Sequence, residues 1–586
     1  MNHIIQFFQT IPIQENIQID DSICRHFRAP ITYLDKKYEL TESVIEDIEL
    51  YNDSSHNVLQ TMMPSQGSFE NTILKQNQSY YTDDVQFLRE TQDIIKNIRY
   101  KPIDDCQPII NLWDDVKCNI HFLSKYSYMD WKVLEYLNHN KLFLLLTSIS
   151  NLLTPILFFI VPVIILLIPF VIIKIKGSDV TLPEYYAILK TVAGNHSLAK
   201  MVLSFNEFSV KSIATSIFYI GTFIYQIYCN VQSCYRFYNN IKTVNDNMCS
   251  LQSYLDNTIS NMENFQMVAS RSNAPSNAYH AFLLDMKTQM DVLKSLQSEI
   301  RHLQPFSKSI KKVTEFGDLL SCYYTIFSNE SYETALSYSF GFTGYCHNLH
   351  CIQTAVLNQD LVMSQFNNER KTVIRNQQYA LMDGEQQSNS VDFSKNMIIS
   401  GANASGKTTL LKSTLINIIL TQQYGCGFYN ACDLHPYTHI HSYLNIPDTS
   451  ERDSLFQAES RRCKDIVESI QKYPVEGGFR HFCIFDELYS GTNPDEASKS
   501  GYAFLKFLDS MTHVNYMLTT HYVYICKKYK NSKNAQNYKM NAVLDKNGNI
   551  VFQYRLKKGI SRLRGAIHVL KNMNYPKSIL DDIAAL

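Results

Sequence analysis

The nine residues from Gly401 to Thr409, "GANASGKTT", limit the fold of this chain more than any others. They follow "NMIIS" (396–400), a short apolar run that reads as a strand. They precede "LLKSTLINIIL", which reads as a helix. A GxxxxGK[ST] loop in that setting is a phosphate cradle. Its glycines let backbone N–H groups turn inward, and the start of the helix favours negative charge. Gly401, Asn403, Ser405, Gly406, Lys407, Thr408 and Thr409 are therefore candidate nucleotide-binding residues. Lys407 is expected to reach the β- and γ-phosphates of ATP, and the Thr408 hydroxyl to ligate Mg²⁺.

The second half of such a site is legible downstream. "FCIF" (482–485) reads as a buried strand that ends in Asp486 and Glu487. Two adjacent carboxylates at a strand end repel unless a cation or proton offsets them. Asp486 is thus a candidate Mg²⁺ ligand, and Glu487 a candidate for polarising water. "NYMLTT" (515–520) reads as a further strand, and it ends in His521, a second candidate catalytic residue. From about residue 391, short β-rich runs alternate with helices, the pattern of an α/β sheet.

A different constraint comes from residues 142–173, which carry no charged side chain. A spanning helix needs about 20 apolar residues. Pro155, Pro162 and Pro169 lie inside the run, which leaves one long span or a re-entrant hairpin open. A second uncharged run, 212–235, lies between Lys211 and Arg236. Two spans would return the chain to its starting side, so residues 1–140 and 237–586 are expected to share the compartment that supplies ATP. That puts the protein in a membrane with its ATPase domain on the cytosolic side. The connector carries Lys174, Lys176, Lys190, Lys200 and Lys211, so loop charge does not fix the orientation.

Between these landmarks the chain is less informative. Residues 1–140 form an N-terminal domain of unknown role, in which "YMDWKVLEYLNHN" (128–140) reads as helical. Residues 237–390 form a helical connector. There Leu283, Met286, Met290, Leu293, Leu296, Ile300 and Leu303 make a narrow apolar seam after the turn "RSNAPSN". The full chain of 586 residues has formal net charge −1, so bulk charge does not advertise nucleic acid. Its 14 cysteines contain no CxxC and read as reduced thiols. His435, His439 and His441 read as surface residues of a strand-like segment. "CHNLHC" (346–351) reads as packing rather than metal ligation. Arg555, Lys557, Lys558, Arg562 and Arg564 form the best basic cluster.

The C-terminal motifs resemble the MutS family, the mismatch-repair ATPases. "GANASGKTT" keeps the Asn of the family's G-P-N-M-x-G-K-[ST]-T and has Ala402 in place of Pro. "DELYSGT" is similar to D-E-x-x-x-G-T, and "TTH" to A-T-H. "TQQYGCGFYNA" is similar to Q-x-G-x-x-V-P-A, and "ERDSLFQAESRR" to G-R-S-T-F-x-x-E. "YRLKKGISRLRGAIHVLKNMNYPKSILDDI" is similar to the closing segment. The resemblance implies an ABC-type P-loop ATPase over 391–586, with ATP and Mg²⁺ as cofactors. It also implies a homodimer in which Ser454 touches the partner subunit's nucleotide, and lever-like helices ahead of the motor. The family's F-x-E wedge for mismatch reading and its helix-turn-helix tail are not recognisable, and its soluble members have no spans. The expectation is a membrane-anchored MutS-like ATPase that binds DNA weakly and without mismatch preference. The alternative is a DNA-binding mismatch-repair ATPase with its apolar runs buried.

Overall fold

A computed structural model describes residues 21–177, 210–271, 278–444, 454–544 and 550–561, with short gaps at 53–55, 65–66, 104, 370, 383 and 385–386, and isolated positions elsewhere. Nearly all of the expected turn at 271–277, the connector at 186–209 and most of the closing segment, including Arg562 and Arg564, lie outside the described residues.

The chain divides into two compact units that are not contiguous in sequence. One comprises Met1–Pro102, Ser260–Met290 and Ala335–Leu586, the other Ile103–Ile259 and Asp291–Thr334. The division therefore does not follow the four successive segments read from the sequence.

The first unit is built on six strands: β1 (Asn396–Ser400), β2 (His439–Tyr443), β3 (His481–Asp486), β4 (Val514–Thr520), β5 (Ala535–Leu544) and β6 (Ile550–Lys558). Their order is β2-β3-β4-β1-β5-β6, parallel from β2 through β5, with β6 antiparallel at the edge. Parallel strands are covered on both faces, which explains why β1 is buried at all five positions and β3 at its first five. Three helices bear on the nucleotide loop and its surroundings: α3 (Lys407–Tyr424), α4 (Leu455–Lys472) and α5 (Pro494–Leu508). Against one face of the sheet, α4 and α5 bury Cys463, Ile466, Ile470, Ala497, Leu505 and Leu508 with Phe485 and Leu518.

Residues before 102 belong to this same unit, and polar side chains fasten them to α3. Gln422 is fully buried. Its amide donates to the carbonyls of Thr82 (3.0 Å) and Tyr437 (2.7 Å), and its oxygen accepts from the Tyr437 amide (2.8 Å). Gln423 donates to Asn77 and Tyr80. Ser442 on β2 donates to Asp47 (2.6 Å), and Lys412 on α3 pairs with Glu49 at 2.8 Å. At the leading ends of β2 and β3, imidazoles stack. His439 lies 4.8 Å from His481 and 4.1 Å from Tyr473, and the His441 and His481 rings share a 3.1 Å hydrogen bond. His439 and His441 are thus partly buried rather than surface residues.

The second unit carries the apolar runs. Residues 142–173 form a single continuous helix, α1 (Lys141–Ile175), so the hairpin option falls away despite the three prolines. The other run begins a helix of 60 residues, α2 (Val210–Ala269). Contacts of Cys234 with Leu152 (3.3 Å) and of Phe223 with Phe158 (5.3 Å between ring centres) set the two antiparallel. Lys141–Ile160 has a mean hydropathy of 2.0 and is the one stretch among the described residues long and apolar enough to cross a membrane. Residues 212–235 lie partly outside the residues whose side chains are described, so among the described residues one helix, not the expected pair, is long and apolar enough to span. Nearer its polar end this unit is held by Asp115, which accepts from Lys125 (2.6 Å), Asn119 (2.9 Å), Tyr323 (2.7 Å) and Tyr126.

Replacing Gln422 by Leu would leave the Tyr437 amide and two carbonyls without partners in a dry interior. We expect a loss of about 2–3 kcal/mol, measured as a lower midpoint of chemical unfolding. An unchanged midpoint would mean that this polar pin is not a structural support.

Candidate functional site

The loop between β1 and α3 turns because two of its residues adopt left-handed backbone. Ala404 has φ 60° and Gly406 φ 87°. At Gly406 a Cβ would also stand 3.1 Å from the Tyr554 ring, so this position favours glycine twice over. The turn points Lys407 back under the loop. Its ammonium, only 5 % exposed, donates to the carbonyls of Gly401 and Ala402, both at 3.2 Å.

Register then brings in the acidic residues. The C-terminal ends of β3, β4 and β1 lie side by side, with Asp486 opposite Thr519 and Thr520 opposite Ser400. Asp486 accepts from the Thr408 hydroxyl at 2.6 Å through one oxygen and from the Thr519 hydroxyl through the other. Glu487 lies 3.4 Å from the Lys407 ammonium and 3.1 Å from His521 Nε2. Burial alone would raise the Glu487 carboxyl. The His521 hydrogen bond and charge, then the Lys407 charge, outweigh it and hold the group below its ordinary value.

These residues open on a cavity of about 620 Å³. Asn403, Gly406, Lys407, Thr408, Thr409, Asp486 and Glu487 line it. Gly401, Ser405 and His521 are not among its lining residues, though Gly401 accepts from Lys407 and His521 bonds Glu487. The Ser405 hydroxyl is buried with no hydrogen-bond partner among the described residues. A buried donor left over in a loop that begins a helix fits an anion of phosphate type. The Thr408 and Asp486 oxygens, hard donors facing the same cavity, fit Mg²⁺.

Ser454 stands apart from the cavity. It is exposed and caps α4, its hydroxyl accepting from the Gln457 amide while the Gln457 side chain accepts from the Ser454 amide. Sequence reasoning does not find Tyr379, Met382, Met540 and Tyr554, which also line the cavity. Tyr554 is set by Asn389, which donates to its carbonyl (2.9 Å) and accepts from Leu556 (2.7 Å). An exposed tyrosine on an edge hairpin has no periodic pattern that would single it out. Of the basic cluster, Arg555, Lys557 and Lys558 are exposed on β6.

The family model for MutS domain V matches residues 397–586. The chain is also similar to three bacterial proteins named DNA mismatch repair protein MutS. That of Leuconostoc citreum is 24 % identical over 198 residues, 33 % of this chain and 22 % of the relative. That of Streptococcus agalactiae is 23 % identical over 241 residues, 40 % and 27 %. That of Bacteroides fragilis is 28 % identical over 192 residues, 31 % and 21 %. The chain thus spans about a fifth to a quarter of the length of these relatives.

Proposed function

We propose, from the premise that residues 397–586 belong to the MutS family, that this region binds ATP with Mg²⁺ and hydrolyses it as a P-loop ATPase. The observation that carries the reading is the convergence of Lys407, Thr408, Asp486 and Glu487 on one cavity behind a left-handed loop. Loop amides and the buried Lys407 ammonium would balance phosphate charge. Thr408 and Asp486 would hold Mg²⁺, which when bound spreads the charge of the transferred phosphoryl group. A phosphate competes with Glu487 for Lys407. Drawing the ammonium away frees Glu487 Oε1 to accept from an attacking water, while His521 keeps Oε2 in place. Lys407→Ala should lose hydrolysis and weaken nucleotide binding together. Glu487→Gln should keep binding and lose turnover, as read by single-turnover hydrolysis beside nucleotide titration. Equal loss of binding in both variants would remove the role given to Glu487.

The motor is proposed to work as a homodimer, with Ser454 completing the partner's site. The support is that Ser454 is exposed and far enough from its own cavity to line none of it. Mixing Lys407→Ala chains with Ser454→Arg chains should restore part of the activity, because one of the two composite sites is then whole. No recovery in verified mixed dimers would locate the serine's action in cis.

The apolar helix α1 is proposed to anchor the protein in a membrane with the motor on the cytosolic side. Only 11 % of its most apolar window is buried, and Ile156 and Phe159 are 54 % and 51 % exposed. Water does not tolerate so large an apolar face. The second reading, a DNA-binding mismatch-repair ATPase without an anchor, is favoured by the name its relatives carry. Extraction of membranes with alkaline carbonate separates the two. Retention in the pellet supports the anchor, and release to the supernatant overturns it and raises the second reading.

A further inference from the structure

The loop after β3 is under conformational strain. Glu487 (φ 53°) and Tyr489 (φ 59°) are both left-handed and neither is glycine. Such a backbone persists only where its surroundings over-determine it. Four amides are fastened: Glu487 to the Thr519 carbonyl (3.1 Å), Tyr489 to the Tyr443 hydroxyl (3.1 Å), and Ser490 and Gly491 to one carboxylate, that of Glu459 (2.9 and 3.2 Å). The Ser490 hydroxyl adds a third bond to Glu459 at 2.8 Å. Glu459 is only 2 % exposed, and among the described residues no ion pair neutralises it. A buried carboxylate is tolerated here because three donors converge on it.

Glu459 lies on α4, five residues after Ser454. Gly491 presses against the first turn of that helix. A Cβ on it would stand 2.8 Å from both the Phe456 amide nitrogen and Leu455 Cγ. The start of α4 and the 487–491 loop are thus bonded by a carboxylate and packed without a side chain between them.

We infer that Glu459 is a positioning residue that couples Ser454 to Glu487. It makes the helix end facing a partner's nucleotide and the loop holding the water-polarising carboxylate move as one body. The inference rests on the hydrolytic role proposed for Glu487. Its consequence is that turnover, but not nucleotide capture, depends on Glu459, since among the described residues the bonds of Lys407 go to Gly401, Ala402 and Glu487 and none to Glu459 or α4.

The test uses the purified full chain in detergent micelles, with Glu459→Gln, Glu459→Ala and Ser490→Ala compared with the parent. Glu459→Ala is expected to lower kcat at least tenfold with KM for ATP and the nucleotide Kd within about twofold. Glu459→Gln keeps one acceptor oxygen and should recover part of that loss, and Ser490→Ala, which keeps both amide bonds, should stay within about threefold of the parent. A KM rise that matches the kcat loss, or a parent-like kcat in Glu459→Ala, overturns the inference. Should Glu459→Ala not fold, the decision passes to Glu459→Gln: an unchanged kcat overturns the inference, and a fall in kcat alone supports it. Absence of hydrolysis by the parent chain defeats the ATPase reading itself, a result distinct from all of these.

Discussion

A buried ammonium organises the C-terminal domain. Lys407 is held beneath its own loop by two carbonyls and faces Glu487 across 3.4 Å. An unpaired charge in that position would be costly. The loop must therefore turn left-handed to present its carbonyls, and β3 must end at Asp486 so that the next residue can face the lysine. The parallel register of β3, β4 and β1 satisfies both demands, and the buried apolar faces of those strands hold the register.

Much of this is readable in the sequence because it is local and periodic. The loop lies between a five-residue apolar strand and a helix, and the acidic pair stands where an apolar strand stops. What escapes a reading of the residues is non-local. Gln422 and Gln423 are legible only as part of the motif "TQQYGCGFYNA", yet they fasten the N-terminal segment to α3 through carbonyls more than 300 residues away in sequence. The two units interleave along the chain, and no composition shift marks that. Tyr554 reaches the cavity because β6 folds back antiparallel, a topology that spacing does not encode. The hydrophobic runs are visible as runs, but only the structure makes the first a single helix and the second the beginning of a much longer one.

Strain and burial are distributed unevenly across the sheet. The C-terminal ends of the strands carry left-handed residues at 404, 406, 487 and 489 and a cavity. This is the usual arrangement of open parallel sheets, in which the crevice beyond the carboxyl ends is left for ligands. The backbone there is fixed by side chains that have other work available to them, Lys407 and Glu487 above all. A ligand that recruits those groups exchanges internal partners for external ones.

The opposite ends of the same strands hold the imidazole stack, and this sets a limit of another kind. Burial, then neighbouring positive charge, pushes His439 down to about 4. Burial, partly offset by the Tyr473 carbonyl, does the same to His481. In the unfolded chain both would titrate near 6.5. Below that value the unfolded state binds protons that the folded sheet refuses, so stability is whole above about pH 6.5 and drains as pH falls towards 4. Acid would therefore be expected to open this sheet from the strand ends farthest from the nucleotide loop, the rings of β2 and β3 parting as they charge, while Glu487 at the other end, held below its ordinary value, still faces Lys407.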